Sequence, residues 1–269
     1  MASRLSSRNT AGKENLEGYL IFTKGFLMHK NDANCRAQAK AAEMAEAAMM
    51  VERYRKRNER GIVKDHLKNF EYNYEVKCER EIAYCRLLRS RFESLRAIRL
   101  LEIGAGDGDN ILGFLRMGMQ AENIAANELL DYRREIIQAR LPHIRIIPGD
   151  ALRIDINEEY DVVFQSLVFT SILNSEVRKT LALKMWSWLR KGGCILWYDF
   201  VYNNPTNPDV RKVGLRELHA LFPRASCFRK RRVTVAPPIG RRLSNVYGII
   251  NRFAPWLRTH IVARIDRDE

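Results

Sequence analysis

From Leu95 onward, short apolar runs alternate with amphipathic stretches of helical period, and this alternation narrows the fold more than any other feature of the sequence. Ile98–Ile103 reads as a strand, Asn110–Met117 as a helix, Asn123–Asn127 as a strand, Tyr132–Ala139 as a helix and Ile144–Ile147 as a strand. Tyr160–Phe164 is a stronger strand. Ser175 is placed to cap a helix reaching Leu189 and stopping at Gly192 and Gly193, after which Cys194–Phe200 reads as a buried strand and Gly214–Phe222 as a helix. Strands over Cys227–Val235 and Arg258–Ile265 flank a helical stretch at 241–254; with no long crossover between them, they are expected as antiparallel additions at the sheet edge. The class is therefore α/β, a mostly parallel sheet with helices on both faces.

Residues 1–62 read as an N-terminal helical appendage, and 63–269 as the main domain. In the appendage, Asn31 and Asp32 can cap an alanine-rich helix through Ala37, Ala41, Ala45, Ala48 and Val51 to Arg57, with Gly61 as its stop; such a helix offers a surface for oligomerisation. A second helix, Lys64–Phe92, sets Tyr74, Cys78, Ile82, Cys85 and Leu88 along one stripe, which predicts core packing for both cysteines.

At 46% hydrophobic and 29% charged residues, the 269-residue chain is neither disordered nor a disulfide scaffold. No stretch reaches the roughly 18 uncharged apolar residues of a membrane span, since Val162–Leu173 is interrupted by Gln165, Ser166, Thr170 and Ser171. Tyr19–Met28 is broken by Lys24 and is a poor signal peptide, and Glu14 and Glu17 spoil the transit-like opening; a cytoplasmic protein is the expectation. Cysteines 35, 78, 85, 194 and 227 form no CxxC pair, which fits a reducing compartment and gives no metal site. Thirteen basic residues and one acid lie between Arg211 and Ile265, so nearly all of the net charge of +14 resides there and implies an acidic partner.

The chemistry lies in Leu100-Leu101-Glu102-Ile103-Gly104-Ala105-Gly106-Asp107-Gly108, a glycine turn between the first strand and its helix. Glycines there let a ligand approach the backbone closely. The dinucleotide fingerprint GxGxxG would need a glycine at position 109, which is Asp109, and the carboxylates of Glu102, Asp107 and Asp109 would repel a pyrophosphate. A ligand with a cationic amino-acid end suffers no such repulsion.

With its acid-x-Gly-x-Gly-x-Gly spacing, the stretch resembles the first motif of the class I S-adenosylmethionine-dependent methyltransferases, and the resemblance covers roughly residues 95–265. It implies a Rossmann-like sheet and S-adenosyl-L-methionine as cofactor. By the same resemblance Glu102, Gly104, Ala105 and Gly106 bind the cofactor. Glu128, 26 positions after Glu102, would bind both ribose hydroxyls, with Leu129 against the adenine. Asp150, followed by Ala151, would accept from the adenine amino group, and Gln165 and Ser166 would lie beneath the methionine. The Asn/Asp-Pro-Pro-aromatic motif of the family's amide-nitrogen methylating members is absent: Phe164-Gln165-Ser166-Leu167 stands in its place. No CxxxCxxC is present for radical chemistry.

The acceptor in this fold sits over the ends of the fourth and fifth strands, where Trp197-Tyr198-Asp199-Phe200 runs into the polar loop Val201–Asp209. Asp199 is the first candidate for a base or for orienting the acceptor, against an alternative role pinning the Asn-Asn-Pro turn. His219 is the second candidate, and packing is its alternative; His260 reads as structural. Tyr54, Tyr72 and Tyr74 either cover the cofactor or pack in the core. Trp-Tyr-Asp-Phe, Tyr-Asn-Asn-Pro and Ala-Pro-Pro resemble a bacterial subgroup found with polysaccharide-building enzymes, which implies O-methylation of a small-molecule or saccharide acceptor. The basic C-terminal segment suits an anionic acceptor bound by arginine, and a peripheral contact with acidic lipid through Phe253 and Trp256 is a further option. Two rivals stand beside this reading: an RNA methyltransferase, disfavoured because no aromatics interleave the arginines, and a cofactor-binding scaffold without turnover.

Overall fold

A computed structural model describes residues 37–56, 59, 69–204 and 207–268. Asn31, Asp32, Cys35, Arg57, Gly61 and Lys64, and with them both expected ends of the first helix and the expected start of the second, lie outside the described residues; the second helix ends at Arg89, short of the expected Phe92. Two compact units are distinguished, 1–45 and 46–269. In the first, residues 37–45 are helical. All that follows concerns the second.

Helical residues 46–56 (α1) precede helix α2 (Phe70–Arg89), and the sheet then begins with β1 (Leu100–Ile103). Helix α3 (Asp109–Arg116), β2 (Ile124–Glu128), α4 (Asp131–Arg140) and β3 (Arg145–Pro148) build one half; β4 (Tyr160–Ser166), α5 (Ser175–Ser187), β5 (Leu189–Phe200) and α6 (Leu215–Leu221) begin the other. Strand β6 (Cys227–Val235), the short helices α7 (Pro237–Arg242) and α8 (Tyr247–Phe253), and β7 (Arg258–Asp266) complete it. The strand order is β3-β2-β1-β4-β5-β7-β6. Strand β7 runs antiparallel to both β5 and β6, so β6 itself is parallel to the first five. Only one of the two late strands is therefore antiparallel, and it inserts one place inside the edge. The chain reverses direction across the sheet between β1 and β4, and open α/β sheets bind ligands at the carboxyl ends of the strands beside such a reversal.

Strand alternation divides the core. Leu100, Val162, Phe164, Leu196 and Tyr198 face α2 and α3, while Leu101, Val163, Ile195 and Trp197 face α5 and α6. The expected stripe on α2 is displaced. Tyr72, Ala83, Tyr84, Leu87 and Leu88 are buried, whereas Tyr74 and Ile82 are 59% and 51% exposed. Tyr84 sets the rotation, its ring packing on Phe114 and Phe164. Cys78 and Cys85 are consequently only half-buried, and Cys78, Cys85, Cys194 and Cys227 are all free.

Two further expectations shift around α5. Its cap is Asn174, whose side chain accepts from the amides of Glu176 and Val177, not Ser175. Gly192 and Gly193 do not stop that helix; they lie inside β5, where the β4 pairing slips between Tyr160 and Val162. A Cβ on Gly193 would sit 2.9 Å from the carbonyl oxygen of Asp161, so the strands need glycine at this irregularity. Among the described residues, no helix is long and apolar enough to cross a membrane, and no group of three or more His, Cys, Asp or Glu is placed to hold a metal ion.

Candidate active site

The turn after β1 is built on left-handed backbone: Gly104, Gly106 and Gly108 have φ of +65°, +59° and +80°. A Cβ on Gly104 would come within 2.6 Å of Val168 Cγ2, so the turns after β1 and β4 touch through a missing side chain. The buried Ala105 donates its amide to the Asn127 carbonyl (2.9 Å), which ties this turn to β2. At the end of β2, Glu128 accepts from the Gly106 amide (2.8 Å) on one carboxylate oxygen and the Leu130 amide (2.9 Å) on the other. Each oxygen keeps a second lone pair. Asn127 donates to the carbonyls of Ile147 and Gly149 and aligns the end of β3 beside it.

Gly104, Ala105, Gly106, Glu128, Leu130 and Val168 wall a cavity of about 300 Å³ that also takes in Leu129, Ser166, Tyr54 and Arg80. Buried polar atoms without a hydrogen-bond partner include Arg80 Nε, Tyr84 Oη, Glu102 Oε2 and Asp150 Oδ2, the last with Arg153 Nε at 3.9 Å. Glu102 accepts from Asn110 through its other oxygen (2.7 Å), and burial raises its pKa to about 8. Asp150 Oδ1 accepts from the Leu152 amide (2.9 Å), and Ala151 packs half-buried beside it. A buried unpaired donor or acceptor costs about 1–3 kcal/mol. Arg80 lines this cavity, whereas Glu102, Asp150 and Ala151 are outside its lining; a ligand with a carboxylate for Arg80 and ribose hydroxyls for Glu128 fits the lining, as the cofactor that the sequence implies would.

A second cavity, about 760 Å³, opens over the ends of β4, β5 and β7 and is lined by Thr170, Tyr202, Asn203, Pro238, Arg241 and His260 among others. Tyr54, Leu167 and Ser171 line both cavities. Leu167 is a non-glycine residue at φ +60°, a conformation that costs about 1–3 kcal/mol and tends to cluster at functional sites. Arg53 and Glu46 hold α1 at this junction: Arg53 donates to the Ser171 carbonyl (2.9 Å), and Glu46 accepts from the Leu173 amide (2.9 Å).

No protein-family model and no curated protein matches the sequence. Solved structures do match. The N-methyltransferase NodS from Bradyrhizobium japonicum WM9 aligns at a TM-score of 0.55 and 15% identity, over 72% of this chain and 98% of its own. The 1,6-didemethyltoxoflavin-N1-methyltransferase from Burkholderia thailandensis, solved with 1,6-didemethyltoxoflavin and S-adenosylhomocysteine bound, gives 0.53 and 15%, over 85% and 89%. Magnesium protoporphyrin IX methyltransferase from Synechocystis PCC 6803, also with S-adenosylhomocysteine, gives 0.53 and 9%, over 71% and 84%. The chain has the class I methyltransferase fold.

Within this methyltransferase fold the candidates from sequence separate. Gly104, Ala105, Gly106, Glu128, Leu129 and Ser166 come together around the smaller cavity. Gln165 is fully buried and already engaged: its Oε1 accepts from the Val168 amide (3.0 Å) and its Nε2 donates to the Tyr198 carbonyl and Asp199 (both 3.4 Å). It shapes the 165–168 turn. Asp199 is fully buried, and the Thr170 hydroxyl donates to it at 2.5 Å; burial raises its pKa to about 7 against the pull of those hydrogen bonds. Asp199 thus reaches the larger cavity only through Thr170. His219 is on the exposed side of α6 with its ring 4.0 Å from Phe228, outside the lining of both cavities.

His260, which reads from sequence as structural, forms part of the larger cavity's wall. Its ring stacks on Tyr198 (5.2 Å, 10°), Nδ1 is 3.0 Å from the Thr259 hydroxyl, and burial with the nearby Arg80 lowers its pKa to about 3. It is therefore a neutral imidazole. Tyr54 faces both cavities, Tyr72 packs on Tyr247, and Tyr74 is exposed. Sequence reasoning missed Arg80 because it interrupts a helix face that otherwise reads as apolar packing. Pro205 and Thr206 of the acceptor loop lie outside the described residues.

Proposed function

We propose that the protein transfers a methyl group from S-adenosylmethionine to a hydroxyl oxygen of an anionic small-molecule or glycan-type acceptor. One observation carries the reading: a cavity bounded by the glycine turn and Glu128 meets a larger polar cavity along Tyr54, Leu167 and Ser171. Asn203, Asn207 and Arg241 give the larger cavity amide and guanidinium groups suited to hydroxyls and a carboxylate or phosphate.

When bound, S-adenosylmethionine supplies a sulfonium methyl, the electrophile of an in-line displacement. Glu102 and Arg80 would hold its amino-acid end, the second lone pairs of Glu128 its ribose hydroxyls, and Asp150 its adenine amino group. Holding both partners in line can supply about 7–11 kcal/mol of the barrier. As the carbon–oxygen bond forms and the carbon–sulfur bond breaks, the acceptor hydroxyl must shed a proton. Thr170 Oγ1 can take it while passing its own to Asp199 Oδ1, whose pKa of about 7 suits a base near neutrality. The neutral His260 is placed to accept a hydrogen bond from the same acceptor.

The test is calorimetry of the purified chain with S-adenosylmethionine and S-adenosylhomocysteine, followed by methyl-labelled cofactor in a host lysate fractionated into small molecules, glycan, lipid, RNA and protein. Heat on binding and label in a hydroxyl-bearing small-molecule or glycan fraction are expected. Absence of heat would sink the cofactor reading; label confined to RNA or protein would overturn the acceptor.

A further inference from the structure

Four large apolar side chains near the C-terminal end face solvent: Leu243, Ile249, Phe253 and Trp256, at 41%, 61%, 69% and 72% exposure. Ile249 and Phe253 are one helical turn apart on α8, whereas Tyr247 and Ile250 of the same helix pack inward with Val235 and Leu257. Arg258 fastens α8 to the sheet edge, donating to Asn251 and to the carbonyl of Arg232 on β6. The surface around these side chains is cationic. Arg231, Arg232, Arg242 and Arg252 are exposed, and no Asp or Glu occurs between Glu217 and Asp266. From the neighbouring α2 come Glu75 and Glu79; Glu79 already accepts from the Tyr247 hydroxyl (2.8 Å) and the Thr234 amide (2.9 Å).

We propose that this side of the molecule docks on the surface of an anionic bilayer, with Ile249, Phe253 and Trp256 in the headgroup–acyl boundary and the arginines on lipid phosphates. Aromatic rings and cationic side chains are the groups that partition to that boundary. Each basic residue gains from the negative surface potential there. Ile249 and Leu243 favour lipid over nucleic acid, because an aliphatic side chain gains from acyl chains and offers no ring on which a base can stack. Pro238 and Arg241 of α7 also line the larger cavity, so docking brings its mouth to the lipid surface. The inference stands apart from methyl transfer.

The full chain, without cofactor, is sedimented with phosphatidylcholine vesicles lacking or containing phosphatidylglycerol while tryptophan emission is recorded. Co-sedimentation only with phosphatidylglycerol is expected, weakening as salt is added. A blue shift would report on Trp256, because Trp186, Trp188 and Trp197 are buried. Replacing Ile249, Phe253 and Trp256 together by serine should lower partitioning at least about tenfold; all three are exposed, and circular dichroism checks the fold. Trp256→Phe should keep sedimentation and lose the shift. The proposal fails if phosphatidylglycerol vesicles do not sediment the protein or the triple variant binds them equally. It also fails if no blue shift accompanies binding, or if an RNA oligonucleotide displaces the vesicles without depending on the three apolar residues. Because cofactor heat is measured separately, either reading can fail while the other survives.

Discussion

The smaller cavity draws most of its lining from three short stretches, 104–110, 128–130 and 166–168, whereas segments as distant as Thr170, Tyr202, Arg241 and His260 line the larger, and Tyr54 lines both. A lining drawn from a few turns is set by local backbone conformation. That suits a ligand recognised by the turns that the strand ends present. A lining gathered from distant segments suits an acceptor particular to this protein. The difference implies that substitutions around the larger cavity should change turnover, and those around the smaller should change cofactor affinity.

The largest expected effect breaks or supports that division. Asp199→Asn should lower turnover by about 10²–10⁴-fold while cofactor affinity holds, because the group lost is a proton acceptor acting through Thr170. Only the ionised carboxylate accepts a proton, so wild-type turnover should climb as pH rises through about 7 and then level off. The variant's profile should lose that limb. A variant with the wild-type profile would place the base elsewhere; one with lost cofactor affinity would show that the two cavities do not act separately.

The same division explains what the sequence discloses. Glycines of positive φ and strand-end acids announce themselves at fixed local spacing, so the turn through Gly104 and Gly106 and the place of Glu128 at the end of β2 were legible, as was nearly every strand. What was not legible depends on distant partners. Gly192 and Gly193 follow a helix and read as its stop, yet the carbonyl of Asp161 on the neighbouring strand requires glycine at 193. Tyr74 and Ile82 lie at helical spacing, yet Phe114 and Phe164 rotate α2 toward Tyr84. His260 reads as an unremarkable strand residue until β7 inserts beside β5 and sets it against Tyr198. In each case contacts remote in sequence decided the outcome.

A smaller effect is expected from Glu128→Ala. The Gly106 and Leu130 amides lose their acceptor, and the ribose hydroxyls lose a charged one, so cofactor affinity should fall by about 1–3 kcal/mol. Calorimetry measures the affinity, and thermal unfolding without ligand should show a lowered midpoint from the same two amides. Unchanged affinity with a lowered midpoint would make Glu128 a brace for the glycine turn and remove it from the ligand's contacts.

The smallest effect is a proton. Burial holds the Glu102 pKa at about 8, so at pH 7 most ligand-free molecules carry a protonated carboxyl there. An ammonium beside the unpaired Oε2 favours the ionised form, so binding must expel that proton. Protons released on binding make affinity rise with pH, by at most about 1.4 kcal/mol per unit, and the rise should end above about pH 8, where the carboxyl is already ionised. Calorimetry at pH 7 in buffers of different ionisation enthalpy should give a slope approaching one proton released per ligand. Glu102→Gln should flatten both dependences. A wild-type slope of zero would mean that Glu102 meets no cation, and the amino-acid end of the ligand would then have to be placed elsewhere.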